Sequence, residues 1–430
     1  MIFYDLIHGY QPFDPKLKIS GWVRRNLNDV FLPTSLSMKK GLISRGVQLQ
    51  GWTIKSWLSA DPEIKMSAEK VLRNLKIASQ KKHIEIGMSA YAHPILPMIS
   101  DDLIRAQIIL DREIVEKYLG RATWFWPPEG AIDKRTLNIV HQVFPDLILL
   151  IPDKSLGYNN YSGPIKIRFA NGDQKVIVFS TIFKNIFMNA DNAHGKSKYK
   201  RRPRYLPREL IFSQVRKTVH SNQRFIELLG FLKGYGFQQS TALDNLVLMR
   251  DWENAGSRTG LRAIPVGSMG AKEMGVFLDS KDQIDFYLPS QFNWTQATVV
   301  PISKILPSSW EMASTLGDPF PWWQPNKQGR IWRERTELRR KKISYWHGLM
   351  NEFDLAFQKR VKQLGGIKKA LRNQEFKNLC LETFPAVHSC LGWHYFVKRN
   401  WSNYRYAEQT LKNIVYPALE KMTIDKSLKI

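Results

Sequence analysis

Apolar and polar positions follow two alternating periods along the first 250 residues. IFYDLIH (2–8), VQLQGW (47–52), HIEIGMSA (83–90), ATWFW (122–126), DLILLI (146–151), KVIVFS (175–180) and NLVLMR (245–250) are apolar-rich runs of strand length. Segments of helical period lie between them. Residues 61–80 carry apolar side chains at Ile64, Val71, Leu72, Leu75 and Ala78. Residues 100–120 open on Ser100 as N-cap, place Asp101 and Asp102 in the first turn and end before Gly120. A third helix is predicted over 131–144, and others near 207–218 and 221–234. Strand–helix alternation of this kind predicts parallel strands in a sheet or barrel with helices outside. From about residue 305 the strand pattern stops, and 330–430 reads as helices, for instance 343–364. The expected division is a β/α domain over 1–300 and a helical domain over 301–430 that completes the cleft. No internal repeat and no low-complexity segment interrupts the pattern.

Composition changes this picture in one respect. Over 430 residues, 43% hydrophobic and 24% charged side chains are ordinary globular values, whereas 64 Lys+Arg against 38 Asp+Glu give a net charge of +26. The excess is partly local, in KSKYKRRPRYLPR (196–208) and RIWRERTELRRKK (330–342). Either stretch could contact an anionic polymer, an acidic glycan or nucleic acid. Either could equally be a solvated loop or helix face. The two cysteines, Cys380 and Cys390, do not make a disulfide scaffold and read as buried free thiols. The first residues lack a basic region followed by a signal-length apolar run, and no stretch approaches 18 apolar residues. The expected location is cytoplasmic.

In a barrel of parallel strands, residues just past the C-terminal strand ends face the active site. That rule selects His8 and Gln11 after the first strand, Tyr91 and His93 after 83–90, Glu129 after 122–126, and Asp251 and Glu253 after 245–250. Two are carboxylates far apart in sequence, as glycosidic bond cleavage needs: one nucleophile, one general acid that then serves as base. A retaining enzyme holds such a pair roughly 5–5.5 Å apart, and an inverting one leaves room for a water. Pro127 and Pro128 fix φ immediately before Glu129, and Trp124 and Trp126 flank it with apolar surface. Each residue also has a plainer reading. Glu129 can be structural, Asp251 can pair with Arg250, and His8 and His93 can be core histidines.

The order and wording of these segments resemble glycoside hydrolase family 57. HGYQP (8–12) is similar to the family's first His–Gln–Pro segment, AHPILP (92–97) to its His-Pro segment, and WPPEGAID (126–133) to the segment bearing its nucleophile. DWEN (251–254) resembles the Asp-Gly-Glu-Asn-like segment that bears its acid/base, and SSW (308–310) and PWWQ (321–324) resemble its Trp-bearing segment. The resemblance implies an incomplete parallel (β/α)7 barrel with a C-terminal helical domain, acting on α-linked glucans as a retaining hydrolase or glucanotransferase. It carries the nucleophile onto Glu129 and the acid/base onto Asp251, with substrate contacts at His8, Gln11, Tyr91, His93, Trp126, Glu253, Trp310 and Trp393. Two departures stand out. Trp252 replaces the glycine of Asp-Gly-Glu, and Gly392 in LGWHYF (391–396) stands where the family often has Asp. The alternative reading is a family-like protein of altered or lost activity that binds an anionic polymer through its basic stretches.

Other chemistries find no support. AHGKS (193–197) lacks the leading glycine of a phosphate loop, since residue 190 is alanine. The nine histidines include no HExxH or HxxxH pair and the cysteines have no CxxC spacing. The reading calls for no metal and no cofactor, and for an oligo- or polysaccharide as partner.

Overall fold

The computed structural model describes residues 2–10, 20–42, 44–157, 162–181, 245–252, 285–310, 319–320, 337–389 and 407–424. The predicted helices at 207–218 and 221–234, the basic stretch 196–208, most of 330–342, and Gln11, Glu253, Cys390 and Trp393 lie outside them.

Among the described residues ten strands form one sheet: β1 Ile2–Gly9, β2 Arg45–Leu49, β3 Ile84–Met88, β4 Ala122–Phe125, β5 Ile148–Pro152, β6 Gly163–Phe169, β7 Gly172–Phe179, β8 Asn245–Asp251, β9 Asp285–Phe286 and β10 Thr298–Pro301. Seven of them pair in parallel in the order β7-β5-β4-β3-β2-β1-β8. The sheet curls, because inward side chains of its two ends meet. Val247 and Met249 of β8 share one buried cluster with Ile148 and Leu150 of β5 and Ile177 and Phe179 of β7. Val247 N–H also donates to Ser162 Oγ at 3.0 Å. An incomplete (β/α)7 barrel is the result, as expected.

The expectation of parallel strands alone needs one correction. β6 and β7 form an antiparallel hairpin, with Phe169 opposite Gly172. Ala170 and Asn171 make the two-residue turn, and Gly172 follows as the first residue of β7 at φ +130°. β6, flanked by β7 and β10, alternates as a strand with one more exposed face does, Ile165, Ile167 and Phe169 buried and Arg168 exposed. The segment 47–52 is also shorter as a strand than predicted. β2 stops at Leu49, and Gly51 and Trp52 begin a helix.

Helices cover the outer face: α1 Ser20–Asn26, α2 Leu32–Lys39, α3 Gly51–Leu58, α4 Pro62–Gln80, α5 Asp101–Leu119 and α6 Lys134–Val143. α4 begins where Asp61 Oδ1 accepts from Ile64 N–H at 3.1 Å, and its apolar stripe Ile64, Ala68, Val71, Leu72, Leu75 and Ala78 is buried. The inner face is filled by a different device. Inward Gly46 and Gly87 lie on neighbouring strands under the Trp124 indole; a Cβ on Gly87 would sit 2.3 Å from Trp124 Cε2. Two glycines thus make room for one large ring that fills the barrel.

Beyond Pro301 come α7 Glu337–Gln363, α8 Ile367–Ala370, α9 Gln374–Thr383 and α10 Tyr416–Thr423. They dock against the strand-end face beside α5. Asp354 Oδ2 accepts from Ser100 N–H at 2.6 Å, and Lys377 meets Glu113 at 2.6 Å. No helix among the described residues is long and apolar enough to cross a membrane.

Candidate active site

The strand ends gather Glu129, His93, His8 and Trp310. Strand periodicity turns every second residue of β1 inward, Tyr4 and Leu6 lining the barrel and His8 emerging at its top. His8 Nδ1–H donates to the Gln48 side-chain oxygen on β2. Burial, opposed only by that bond, lowers its pKa to about 4, so the ring is neutral at pH 7.

His93 belongs to the turn after β3. α5 holds that turn: Ala92 N–H donates to Gln107 Oε1 at 2.9 Å and Tyr91 N–H to the Gln107 carbonyl at 3.1 Å. The His93 ring is sandwiched between Tyr10, with centroids 4.4 Å apart, and His8, at 4.9 Å. Burial, with His8 and His388 adding to it, holds its pKa well below the usual histidine value. Its Nε2 has no hydrogen-bond partner among the described residues.

Behind the turn, Asp111 of α5 joins two strand ends. Its carboxylate accepts from Gly51 N–H at 2.6 Å and Ser89 N–H at 2.7 Å. Burial pushes this carboxyl up to about 7 against those two bonds, which favour the ionised form. Ser89 Oγ in turn donates to the Trp126 carbonyl at 2.6 Å, tying β3's end to the segment that carries Glu129.

Glu129 sits on a single 3₁₀ turn, Pro128–Gly130, just past β4. Its backbone is left-handed, φ 57° and ψ 18°, and Gly130 follows at φ 59°. A left-handed non-glycine residue costs roughly 1–3 kcal/mol and persists only where the surroundings hold it. Here Pro127, at φ −66°, leads in, and Gly130 N–H donates to the Pro127 carbonyl at 2.8 Å. Residues 308–310 run alongside: Ile132 and Ser308 exchange backbone bonds of 2.9 and 3.0 Å, and Trp310 N–H donates to the Glu129 carbonyl at 3.0 Å. A Cβ on Gly130 would approach Trp126 Cη2 to 3.0 Å, so this position has neither the backbone nor the space for a side chain. Of the three non-glycine residues at positive φ among the described residues, two, His93 and Glu129, meet at this site.

The Glu129 side chain is 14% exposed, and both its oxygens are engaged by neutral donors. Trp310 Nε1–H donates to Oε2 at 2.7 Å and Ser389 Oγ–H to Oε1 at 3.2 Å. His93 Nδ1 lies 3.6 Å from Oε1 and 2.9 Å from Ser389 Oγ. An ionised carboxylate only accepts, so the Ser389 proton belongs to Glu129 and the His93 Nδ1 proton to Ser389. Chemically, this is an oriented carboxylate beside neutral aromatic and imidazole surfaces.

The other expected site residues fall as follows. Asp251 is the last residue of β8, and its Cα is the parallel-ladder partner of His8. Its backbone thus reaches the same end of the sheet as Glu129; its side chain lies outside the described part. Trp126 is fully buried against Phe179, Trp310 and His8, and its Nε1–H has no partner among the described residues. Tyr91 is not brought to Glu129. It is buried and its hydroxyl donates to the Leu381 carbonyl at 3.0 Å, joining barrel to α9. Trp252, the residue that departs from the motif, also points away. Its ring packs on Phe31, just before α2, and its Nε1–H donates to Thr34 Oγ1 of α2 at 2.9 Å. Ser389, His388 and Gln48 carry no motif of their own, and Tyr10 lies inside HGYQP without being singled out, so sequence reasoning missed all four. The only signal for Ser389 was its place three residues before Gly392, next to a segment already compared with the family.

Comparison with known proteins bears on the fold that carries this site. Residues 15–163 match the model of glycosyl hydrolase family 57, a stretch that contains His93, Trp126 and Glu129 but neither His8 nor Asp251. The resemblance drawn from the motifs is thereby shown over those residues. No curated protein matches the chain. Among solved structures it is similar to a 4-α-glucanotransferase from Thermococcus litoralis, at 14% identity and TM-score 0.63, over 98% of this chain and 59% of that one. The chain therefore spans well under two thirds of that enzyme. It is also similar to a GH57-type branching enzyme from Pyrococcus horikoshii, at 14% identity and TM-score 0.56, over 99% and 97% of the two chains. An α-amylase from Thermotoga maritima matches at 12% identity and TM-score 0.51, over 99% of both chains. At these identities the likeness defines the fold.

Proposed function

We propose that the chain is a retaining glycoside hydrolase or glucanotransferase acting on α-linked glucans. The observation that carries this reading is the Glu129 carboxylate, fixed on a left-handed turn at a strand end and oriented by Trp310 and Ser389. Glu129 attacks the anomeric carbon as the bond from that carbon to the leaving oxygen breaks. Asp251, protonated at rest, gives its proton to that oxygen. Water or an acceptor hydroxyl then attacks the same carbon, its proton passes to Asp251, and Glu129 leaves as a carboxylate. Neutral His8 and His93 contact sugar hydroxyls, and Trp126 and Trp310 give the apolar wall. Tyr91 supports the site from behind. Gln11, Glu253 and Trp393 belong to this reading on their motifs alone, as does the division of the chain near residue 300. Because Trp252 packs beneath the helices, its departure from the motif leaves the reading intact.

The test uses wild type, Glu129→Gln and Asp251→Asn with maltooligosaccharides, glycogen and starch, products being separated by chromatography. Shorter products from wild type and none from either variant support the assignment. Longer products beside shorter ones make the enzyme a transferase. No change of any substrate by wild type removes the α-glucan reading and directs a second panel to acidic glycans, which the +26 charge motivates.

A further inference from the structure

Ser389 is fully buried and comes from beyond α9, 260 residues from Glu129. Its backbone N–H donates to the His93 carbonyl at 2.9 Å, so the peptide is anchored to the turn after β3 before its side chain is considered. Its Oγ then stands between His93 Nδ1 at 2.9 Å and Glu129 Oε1 at 3.2 Å. The His93 ring cannot rotate away, being held between Tyr10 and His8. One backbone bond and one fixed ring therefore set the hydroxyl's position, and among the described residues the hydroxyl donates to Glu129 Oε1.

We infer that Ser389 is a positioning residue through which the C-terminal helical region orients Glu129 and sets its basicity. The inference rests on the reading of Glu129 as nucleophile. A hydrogen bond to the charged form of a carboxyl favours that form. It keeps Glu129 ionised before attack and stabilises the carboxylate that departs when the glycosyl group leaves. Trp310 supplies the same service to Oε2, but from the segment that also bonds the Glu129 backbone. Ser389 instead links the carboxylate to α7–α10, whose docking is fixed separately by Asp354 on Ser100 and Tyr91 on Leu381. Among the described residues, the titratable groups around Glu129 are His93 from the end of β3, His8 from β1 and His388 from beside Ser389, with the backbone of Asp251 across His8 at the end of β8. Of these, His8 and His93 are held neutral by burial through the neutral range.

The experiment follows the Glu129 carboxyl directly in the full chain. Protein labelled with ¹³C at glutamate side-chain carboxyls is titrated by NMR, the Glu129 signal being assigned by its loss in Glu129→Gln. Ser389→Ala should move the midpoint upward by about one pH unit, the scale of one charge-assisted hydrogen bond. Ser389→Thr, which keeps the hydroxyl, should restore it. On maltooligosaccharides Ser389→Ala should lower kcat about tenfold with KM little changed, and shift the acid limb of kcat/KM upward with the NMR midpoint. An unchanged midpoint in Ser389→Ala overturns the inference, even if activity falls. So does an equal shift in both variants when both show the wild-type unfolding transition. Failure of the functional reading looks different: wild type would leave every glucan unchanged, or Glu129→Gln would stay active, whatever Ser389 does to the titration.

Discussion

Two glutamates sit at opposite ends of neighbouring strands in the same barrel. Glu85, near the start of β3, is wrapped by donors: Ser290 N–H lies 3.1 Å from both oxygens, Ser290 Oγ reaches Oε1, and Thr123 Oγ1 lies 3.2 Å from Oε2. Glu129, just past the end of β4, is held by Trp310 and Ser389 on a left-handed turn and keeps a partly exposed side chain. Burial raises the pKa of Glu85, against those bonds. Around it the barrel is plugged, with Trp124 over two glycines and Phe292 stacked on Tyr4. Around Glu129, Trp126 Nε1 and His93 Nε2 are buried with no partner among the described residues. Unpartnered buried polar atoms each cost about 1–3 kcal/mol; Trp294 Nε1 at the plugged end is another among the described residues, but the pair beside Glu129 stands at the strand ends, where a polar ligand could satisfy it. A carboxylate whose neighbours are complete holds a fold together. One whose neighbours are incomplete fits the nucleophile proposed here.

The sharpest way to break this contrast is to remove each function separately. Glu129→Gln should lower turnover of α-glucans by at least about 10³-fold, with its thermal unfolding midpoint close to that of wild type. A variant that keeps full turnover would end the distinction between the two ends. Trp252 lies past β8 yet packs like the closed end, so Trp252→Ala should cost about 3–5 kcal/mol in chemical denaturation. Its activity per folded molecule should match wild type; a selective loss of activity would return Trp252 to the site.

Acid sensitivity separates the ends by another route. His8 is held neutral with a pKa of about 4 against 6.5 when exposed, so between these values the unfolded chain binds a proton that the folded one does not. Stability from this group is whole above about pH 6.5 and falls on acidification, by about 3 kcal/mol at pH 4. His93 acts in the same direction. Denaturant midpoints at pH 7, 5 and 4 should therefore decline, and His8→Gln should flatten the decline. The smallest effect is expected at the plugged end. Glu85→Ala leaves the Ser290 and Thr123 donors unpaired and should cost about 2 kcal/mol while sparing turnover. If turnover fell with it, the base of the barrel would be coupled to the site after all.

Much of the scaffold was legible beforehand because it rests on local periodicity. The stripe of α4, the Ser100 cap of α5 and the parallel strands from β1 to β5 follow from spacing and capping, which act over a few residues. Strand ends were legible as well, and with them Glu129, His93, His8 and the backbone place of Asp251. The hairpin of β6 and β7 was not legible as an element of its own, although Asn171-Gly172 marks its turn, because β6 is a short alternating strand inside an otherwise parallel pattern. Tyr91 shows the opposite difficulty. Its place after a strand was read correctly, but the direction of its ring depends on Leu381, a residue 290 positions away.

What the sequence determined by itself was therefore the order of elements, the ends of strands where chemistry collects, and a stiff Trp-Pro-Pro approach to one glutamate. Tertiary structure alone decided which neighbours that glutamate has. Trp310 and Ser389 reach it from 181 and 260 residues away, and Trp252 turns from it into the helices although it is the neighbour of Asp251. Backbone periodicity is a short-range property and can be read along the chain. Hydrogen bonds and ring contacts form between whatever the curled sheet brings within a few ångströms, and no local pattern records those distances.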